Sequence, residues 1–280
     1  MAYRSILVHL NNEGRVKRLM GAAMQLALPS NSHVTGLFVV PAAPAKSPLL
    51  PMISGSAIAS ALDAYRKSGE SIRRAFDEAI GGQPVVGEWR LYQAKRPGYV
   101  EAVLDHARPA DVVVTAQKEN DWDYADMFDV PDWLAMESGR PVLIVPKAGE
   151  IASIGERILV AWNNSREAAR ALFDALPLLQ KASEVIVLSV EESSKPEATS
   201  EIAGAEIGAT LARHGVKVTV QQAKPGRGDA GVELLAQVAA HRADLLVMGC
   251  FGRSRLREFV LGGASRHVLQ NATVPVLMSH

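Results

Sequence analysis

Cysteine is almost missing: Cys250 is the only one in 280 residues. An internal disulfide and any zinc site built on several thiolates are therefore excluded, and a reducing compartment fits. Net charge is missing too, with 30 Lys plus Arg balanced by 30 Asp plus Glu. No global basic field exists to hold nucleic acid or an anionic membrane, so any anion site must be local. No apolar run approaches the roughly 20 residues of a membrane span. The N-terminus MAYRSILVHL has one arginine and an apolar run too short for the core of a signal peptide. Together these absences predict a cytoplasmic protein. Aromatic residues are scarce at 5%, so any cluster of them is informative.

What is present is written twice. ILVHLNNEGRVKRLM begins at Ile6 and ILVAWNNSREAARAL at Ile158, including the pairs Asn11–Asn12 and Asn163–Asn164. ADVVVTAQ from Ala110 parallels ADLLVMGC from Ala243, and RPVLIVP from Arg140 parallels VPVLMSH from Val274. The offset falls from 152 at the first match to 134 at the last. The stretch PAAPAKSPLLPMISGSA, Pro41–Ala57, accounts for the extra residues of the first copy. The predicted domains are 1–149 and 150–280.

Each copy alternates short β-branched runs with helical patterns. In the second, RILVAW, EVIVLSV, KVTVQQA, DLLVMG and VPVLMS read as strands. Between them SREAARALFDALPLLQ, SEIAGAEIGATLARHG, DAGVELLAQVAAHR and GASRHVLQNA read as helices, the first with Ser165 as N-cap. Strands apolar on both faces, alternating with helices, predict an α/β fold with a parallel sheet covered on both sides. Ligands of such sheets bind beyond the carboxyl ends of the strands. The closing strands PVLIVP and VPVLMS are apolar edges that need a partner. Their pairing, through Val142, Leu143, Ile144, Val276, Leu277 and Met278, predicts an internal pseudo-dimer. A further homodimer stays open.

MGCFGRSRLREFVLGGAS, Met248–Ser265, leaves the carboxyl end of DLLVMG. Gly249 and Gly252 allow positive φ and keep side chains away from a ligand. Gly262 and Gly263 precede a helix starting near Ala264, whose free amides and positive dipole end favour an anion, phosphate above all. Ser265 can add a hydroxyl donor. Arg253 directly follows a loop glycine and is the arginine expected at the ligand; Arg255, Arg257 and Arg266 suit a solvated face. A tight crossover loop is the competing account of the same glycines. Cys250 and Phe251 are expected to pack against the sheet edge.

Gly249-x2-Gly252-x9-Gly262, after DLLVMG and before VPVL, resembles the nucleotide-phosphate loop of the universal stress protein family, and the resemblance runs over the chain as two tandem copies. It implies two five-stranded parallel α/β sandwiches, Rossmann-like and adenine nucleotide alpha hydrolase-like. It also implies ATP, with Mg2+, bound through this loop. Carried over residue by residue, Gly249, Gly252 and Gly262 match the family glycines; Met248, Arg253, Gly263, Ala264 and Ser265 beside them are the other candidates on the phosphate side. Ala161 and Val190 line the adenine pocket, and Asn163 meets the nucleoside. Two residues depart from the family pattern. Gly263 stands where serine or threonine is usual, and Asn163 where aspartate is usual.

The first copy has lost the loop. In TAQKENDWDYADMFDVPDWLAMES, Ala116 replaces the first glycine, Glu119 the second, and Phe128 or Asp129 the third. Carboxylates there, Asp121, Asp123, Asp126, Asp129 and Asp132 among them, repel a triphosphate. One nucleotide per chain is expected. The interleaved Trp122, Tyr124, Phe128 and Trp133 are either core or a contact surface. No GxxxxGK[ST], HExxH or GxSxG motif is present, and His267 has no evident catalytic partner. The expectation is a non-enzymatic stress-response protein that binds ATP or another adenine nucleotide in its second copy and acts, with protein partners, as a nucleotide-dependent regulator or protective factor, hydrolysing ATP slowly at most. A nucleotide-free interaction or small-molecule/lipid-binding module of the same fold is the alternative.

Overall fold

The computed structural model describes residues 2–42, 55–94, 98–119, 128–190, 197–224, 229–250 and 263–280. Gly252, Arg253, Arg255, Arg257, Phe251 and Gly262 lie outside the described residues, as do Trp122, Tyr124 and most of the 41–57 insert. The chain forms two compact units, Tyr3–Leu134 and Ala135–His280.

In the first unit β1 (Ser5–His9), β2 (His33–Val40), β3 (Val86–Gln93) and β4 (Val112–Ala116) are ordered β3-β2-β1-β4 and all parallel. Helices α1 (Glu13–Ala27), α2 (Gly55–Ile80) and α3 (Tyr99–Ala107) make the crossovers. The central strands β1 and β4 are buried on both faces, which their unbroken β-branched runs require. α1 starts at Asn12, whose Oδ1 accepts the Gly14 N–H at 2.9 Å. It buries Val16, Leu19, Met20, Ala23 and Ala27 at helical spacing.

α4 (Pro131–Glu137) leads into the second unit. There β5 (Val142–Val145), β6 (Arg157–Ala161), β7 (Glu184–Val190), β8 (Val218–Ala223), β9 (Leu245–Gly249) and β10 (Val276–Ser279) are ordered β5-β10-β9-β6-β7-β8. The last five are parallel, as the sequence predicts. β5 runs antiparallel to β10, pairing Ile144 with Val276, Leu143 with Leu277 and Val142 with Met278, so the expected contact between the two closing strands is present. The compact units divide at Leu134/Ala135, so β5 is grouped with the strand it pairs with.

The helix expected over 165–180 is split into α5 (Arg166–Asp174) and α6 (Leu176–Leu179). Pro177 has no N–H to continue the first helix, and a second one restarts around it. α7 (Glu197–Arg213), α8 (Ala230–Ala240) and α9 (Gly263–Asn271) follow the predicted spans within a few residues. The repeated Ala-Asp before β4 and β9 has a mechanical role. Asp111 accepts the N–H groups of Arg4 and Ser5 at 2.8 and 3.0 Å. Asp244 does the same for Gly155, Glu156 and Arg157 at 3.0–3.1 Å. Asp111 thus pins the entry of β1 to β4, and Asp244 the entry of β6 to β9.

Candidate functional site

In the second unit the described part of the site lies at the carboxyl ends of β6, β7 and β9 and at the N-termini of α5 and α9. Ala161 ends β6 and Val190 ends β7, both half-buried. Trp162 follows, buried, its N–H donated to the Leu188 carbonyl at 2.8 Å. Its indole Nε1 is buried with no hydrogen-bond partner among the described residues. Asn163 is exposed, and its Oδ1 accepts the Ser165 N–H at 3.1 Å. Asn164 takes φ 58°, turning the chain so that the Ser165 hydroxyl caps Ala168 at 3.1 Å. The short polar turn therefore uses Asn163 for its own geometry.

Gly249 departs from the sequence expectation. It lies in extended strand rather than at positive φ. Its glycine is demanded by packing: a Cβ there would sit 2.4 Å from the Glu167 carbonyl carbon and 2.5 Å from the Ala168 nitrogen. The first turn of α5 is thus laid directly against the end of β9. The adjoining Glu167 is nearly buried and bridges to Arg166 at 3.1 Å. Burial pushes its carboxyl up, but hydrogen bonds from its own backbone amide and Ser165, with Arg166 beside it, outweigh that and hold it below the usual range.

Met248 and Cys250 are buried, and the Cys250 thiol faces the carbonyls of Ala135 and Ser279 at 3.5 and 3.4 Å. Cys250 is packing, as expected. Gly263 opens α9, and a Cβ there would lie 3.1 Å from Asp229 Oδ2. That contact would be tight, and the carboxylate would have to shift by a few tenths of an ångström to admit a side chain. Asp229 caps α8 by accepting the Gly231 and Val232 N–H groups at 2.9 and 3.1 Å. Gly231 would clash with Ala264 at 2.8–2.9 Å, so α8 and α9 cross at close range there. Ser265 is buried on the inner side of α9.

The equivalent place in the first unit is closed by side chains. Arg15, on the first turn of α1, donates from Nε and Nη2 to Glu119 Oε2 at 3.1 and 2.9 Å and from Nη1 to Asp129 Oδ1 at 2.7 Å. Asn11 Nδ2 donates to the same Oδ1 at 2.9 Å and to the Phe128 carbonyl at 2.8 Å. The Glu119 N–H donates to Asp129 Oδ2 at 3.1 Å. Sequence reasoning saw these carboxylates as a repulsive lining. It missed that Arg15, whose counterpart by offset is Glu167, neutralises them from inside.

Beside this cluster His9 Nδ1 pairs with Thr115 Oγ1 at 3.2 Å and Nε2 with the Tyr99 hydroxyl at 2.7 Å. Phe128 is buried core, its ring 4.3 and 4.8 Å from those of Tyr65 and Tyr99, whereas Trp133 is exposed. Burial pushes His9 down to about 4, with Asp129 opposing and Arg15 adding to the shift. The folded unit therefore refuses a proton that the unfolded chain takes below pH 6.5. His9 stabilises fully above that value, and the contribution is lost as pH falls toward 4. Between pH 7 and 5 the first unit should lose about 2 kcal/mol through this residue alone. Hydrogen exchange of β1 and β4 in wild type and His9→Gln checks it: the variant's stability should vary less with pH over that range.

Residues 155–280 match the model of the Universal stress protein family. The chain carries a universal stress protein domain. A universal stress protein from Archaeoglobus fulgidus DSM 4304 is 18% identical over 99% of this chain and 96% of its own, with a TM-score of 0.71. A functionally unknown protein from Pseudomonas aeruginosa PAO1 is likewise 18% identical over 99% of this chain and 92% of its own, with a TM-score of 0.58. At these identities the likeness is one of fold, and it extends the universal stress protein fold over both halves of the chain. A universal stress protein solved in complex with cAMP is 17% identical over 45% of this chain and 97% of its own, with a TM-score of 0.36. No curated protein matches the chain. Among the described residues no helix is long and apolar enough to cross a membrane, and no group of His, Cys, Asp or Glu has the arrangement of a metal site.

Proposed function

We propose that the second unit binds ATP, with magnesium carried on the nucleotide, and that the bound state regulates the protein's action in a stress response. The observation that carries this reading is the contrast between the units at one place in the fold. In the second, the end of β9 is glycine with the first turn of α5 laid against it, and the sequence runs from there through Gly252, Arg253 and Gly262 to α9. In the first, Arg15, Glu119 and Asp129 close the equivalent position. The positive end of a helix dipole favours phosphate oxygens, and Gly263 puts no side chain of its own at the start of α9. Ala161 and Val190, at the ends of adjacent strands, suit the wall of an adenine pocket. Asn163 serves the nucleoside through its amide, and Ser165 shapes the turn.

Titration calorimetry with ATP and magnesium should give one site per chain. Gly252→Val should weaken it on the order of a hundredfold, since several charge-assisted amide contacts at roughly 1.5–3 kcal/mol each are lost. Asp126→Ala, in the first copy, should leave binding nearly unchanged. Two sites per chain, or full affinity in Gly252→Val, would sink the assignment.

A further inference from the structure

We infer that the first unit holds a built-in anion: Asp129 fills, from within the chain, an oxyanion-binding site whose donors are Arg15, Asn11 and the Glu119 backbone amide. Three donors of different origin converge on one carboxylate. The guanidinium reaches Oδ1 at 2.7 Å, the Asn11 amide reaches the same oxygen at 2.9 Å, and the Glu119 N–H reaches Oδ2 at 3.1 Å. All of this is enclosed, for Asn11, Arg15 and Asp129 are each buried. A backbone N–H, an amide and a guanidinium around two oxygens are the donor set a bound oxyanion takes.

The sequence register strengthens the point. Glu119 stands where the second copy has Gly252, and Asp129 where it has Gly262 or Gly263. At this one place the first copy supplies its own negative charge, and it gains an arginine where the second has Glu167. Asp129 also bridges Glu119, just after β4, to Arg15 on the first turn of α1. These contacts join the two elements through the chain's own side chains. This inference does not rest on ATP binding by the second unit, because its readout lies wholly in the first.

The test is chemical rescue by formate, which has the charge and shape of the missing carboxylate. Asp129→Ala vacates the position and leaves the three donors facing a cavity. Sodium formate, compared with sodium chloride at equal ionic strength, should raise the unfolding midpoint of the first unit. The rise expected is roughly 5 °C at ten times the dissociation constant. Hydrogen exchange of β1, β4 and α1 assigns the gain to this unit. Wild type should respond by less than about 1 °C, since its site is already filled. Arg15→Met/Asp129→Ala should also fail to respond, because the principal donor is gone. Asp129→Ser, smaller than aspartate but still able to accept a hydrogen bond, takes the place of the alanine variant if that variant does not fold in chloride. A folded vacated variant that ignores formate, or one that responds equally with and without Arg15, overturns the inference.

Discussion

Arg15→Met is expected to destabilise the first unit by about 3–5 kcal/mol, the cost of leaving buried charge without its partner. Asp129 is 6% exposed and Arg15 7%, so water cannot replace the lost cation. Asn11 and the Glu119 amide would still face Asp129, but dipoles alone do not offset a desolvated carboxylate. The loss should be far from additive. Combining Arg15→Met with Glu119→Gln and Asp129→Asn removes the stranded charges and should recover most of it, as replacement of a whole buried ionic group commonly does. Urea unfolding followed by hydrogen exchange in β1 and β4 measures both. A single-variant cost below about 1 kcal/mol would mean that the cluster is screened like a surface pair.

The architecture was legible because the periodicity was unambiguous. Runs such as ILVAW and DLLVMG are apolar on both faces, and a repeat with matching offsets locates the same elements twice. The pairing of β5 with β10 was legible for a related reason, since two apolar edge strands need partners. The break in the helix at Pro177 was not read, although the proline marked it. The site was read less completely. Glycine in a sequence signals that a side chain is unwelcome and does not say what takes its place. At Gly249 and Gly231 the occupant is another helix, and at Gly263 it is the Asp229 carboxylate. The pairing of Arg15 with Glu119 and Asp129 spans more than a hundred residues of sequence. Nothing local marks such a contact. The one available signal was the change from Glu167 to Arg15 between repeats, coincident with the change from glycine to acid.

Gly249→Ala should therefore behave unlike Gly252→Val. Adding one methyl at Gly249 places it 2.4–2.7 Å from the backbone of Glu167 and Ala168. Backbone cannot rotate aside as a side chain can, so either α5 withdraws or β9 bends. Overpacking of this kind costs typically 1–3 kcal/mol and more where the obstacle is rigid, so a loss of about 3 kcal/mol in the second unit is expected. The strand conformation at Gly249 suits alanine, so the whole effect is steric. Ala116 holds the same register position in the first unit, where the first turn of α1 carries Arg15 toward Glu119 and Asp129. Hydrogen exchange should locate the damage in β9 and α5, with the first unit unchanged. For Gly252→Val the same measurement should find near-normal stability and the ATP affinity lost. Should Gly249→Ala keep full stability and lose only ATP, the glycine would be a ligand contact, and the close packing of α5 on β9 would not be what it serves.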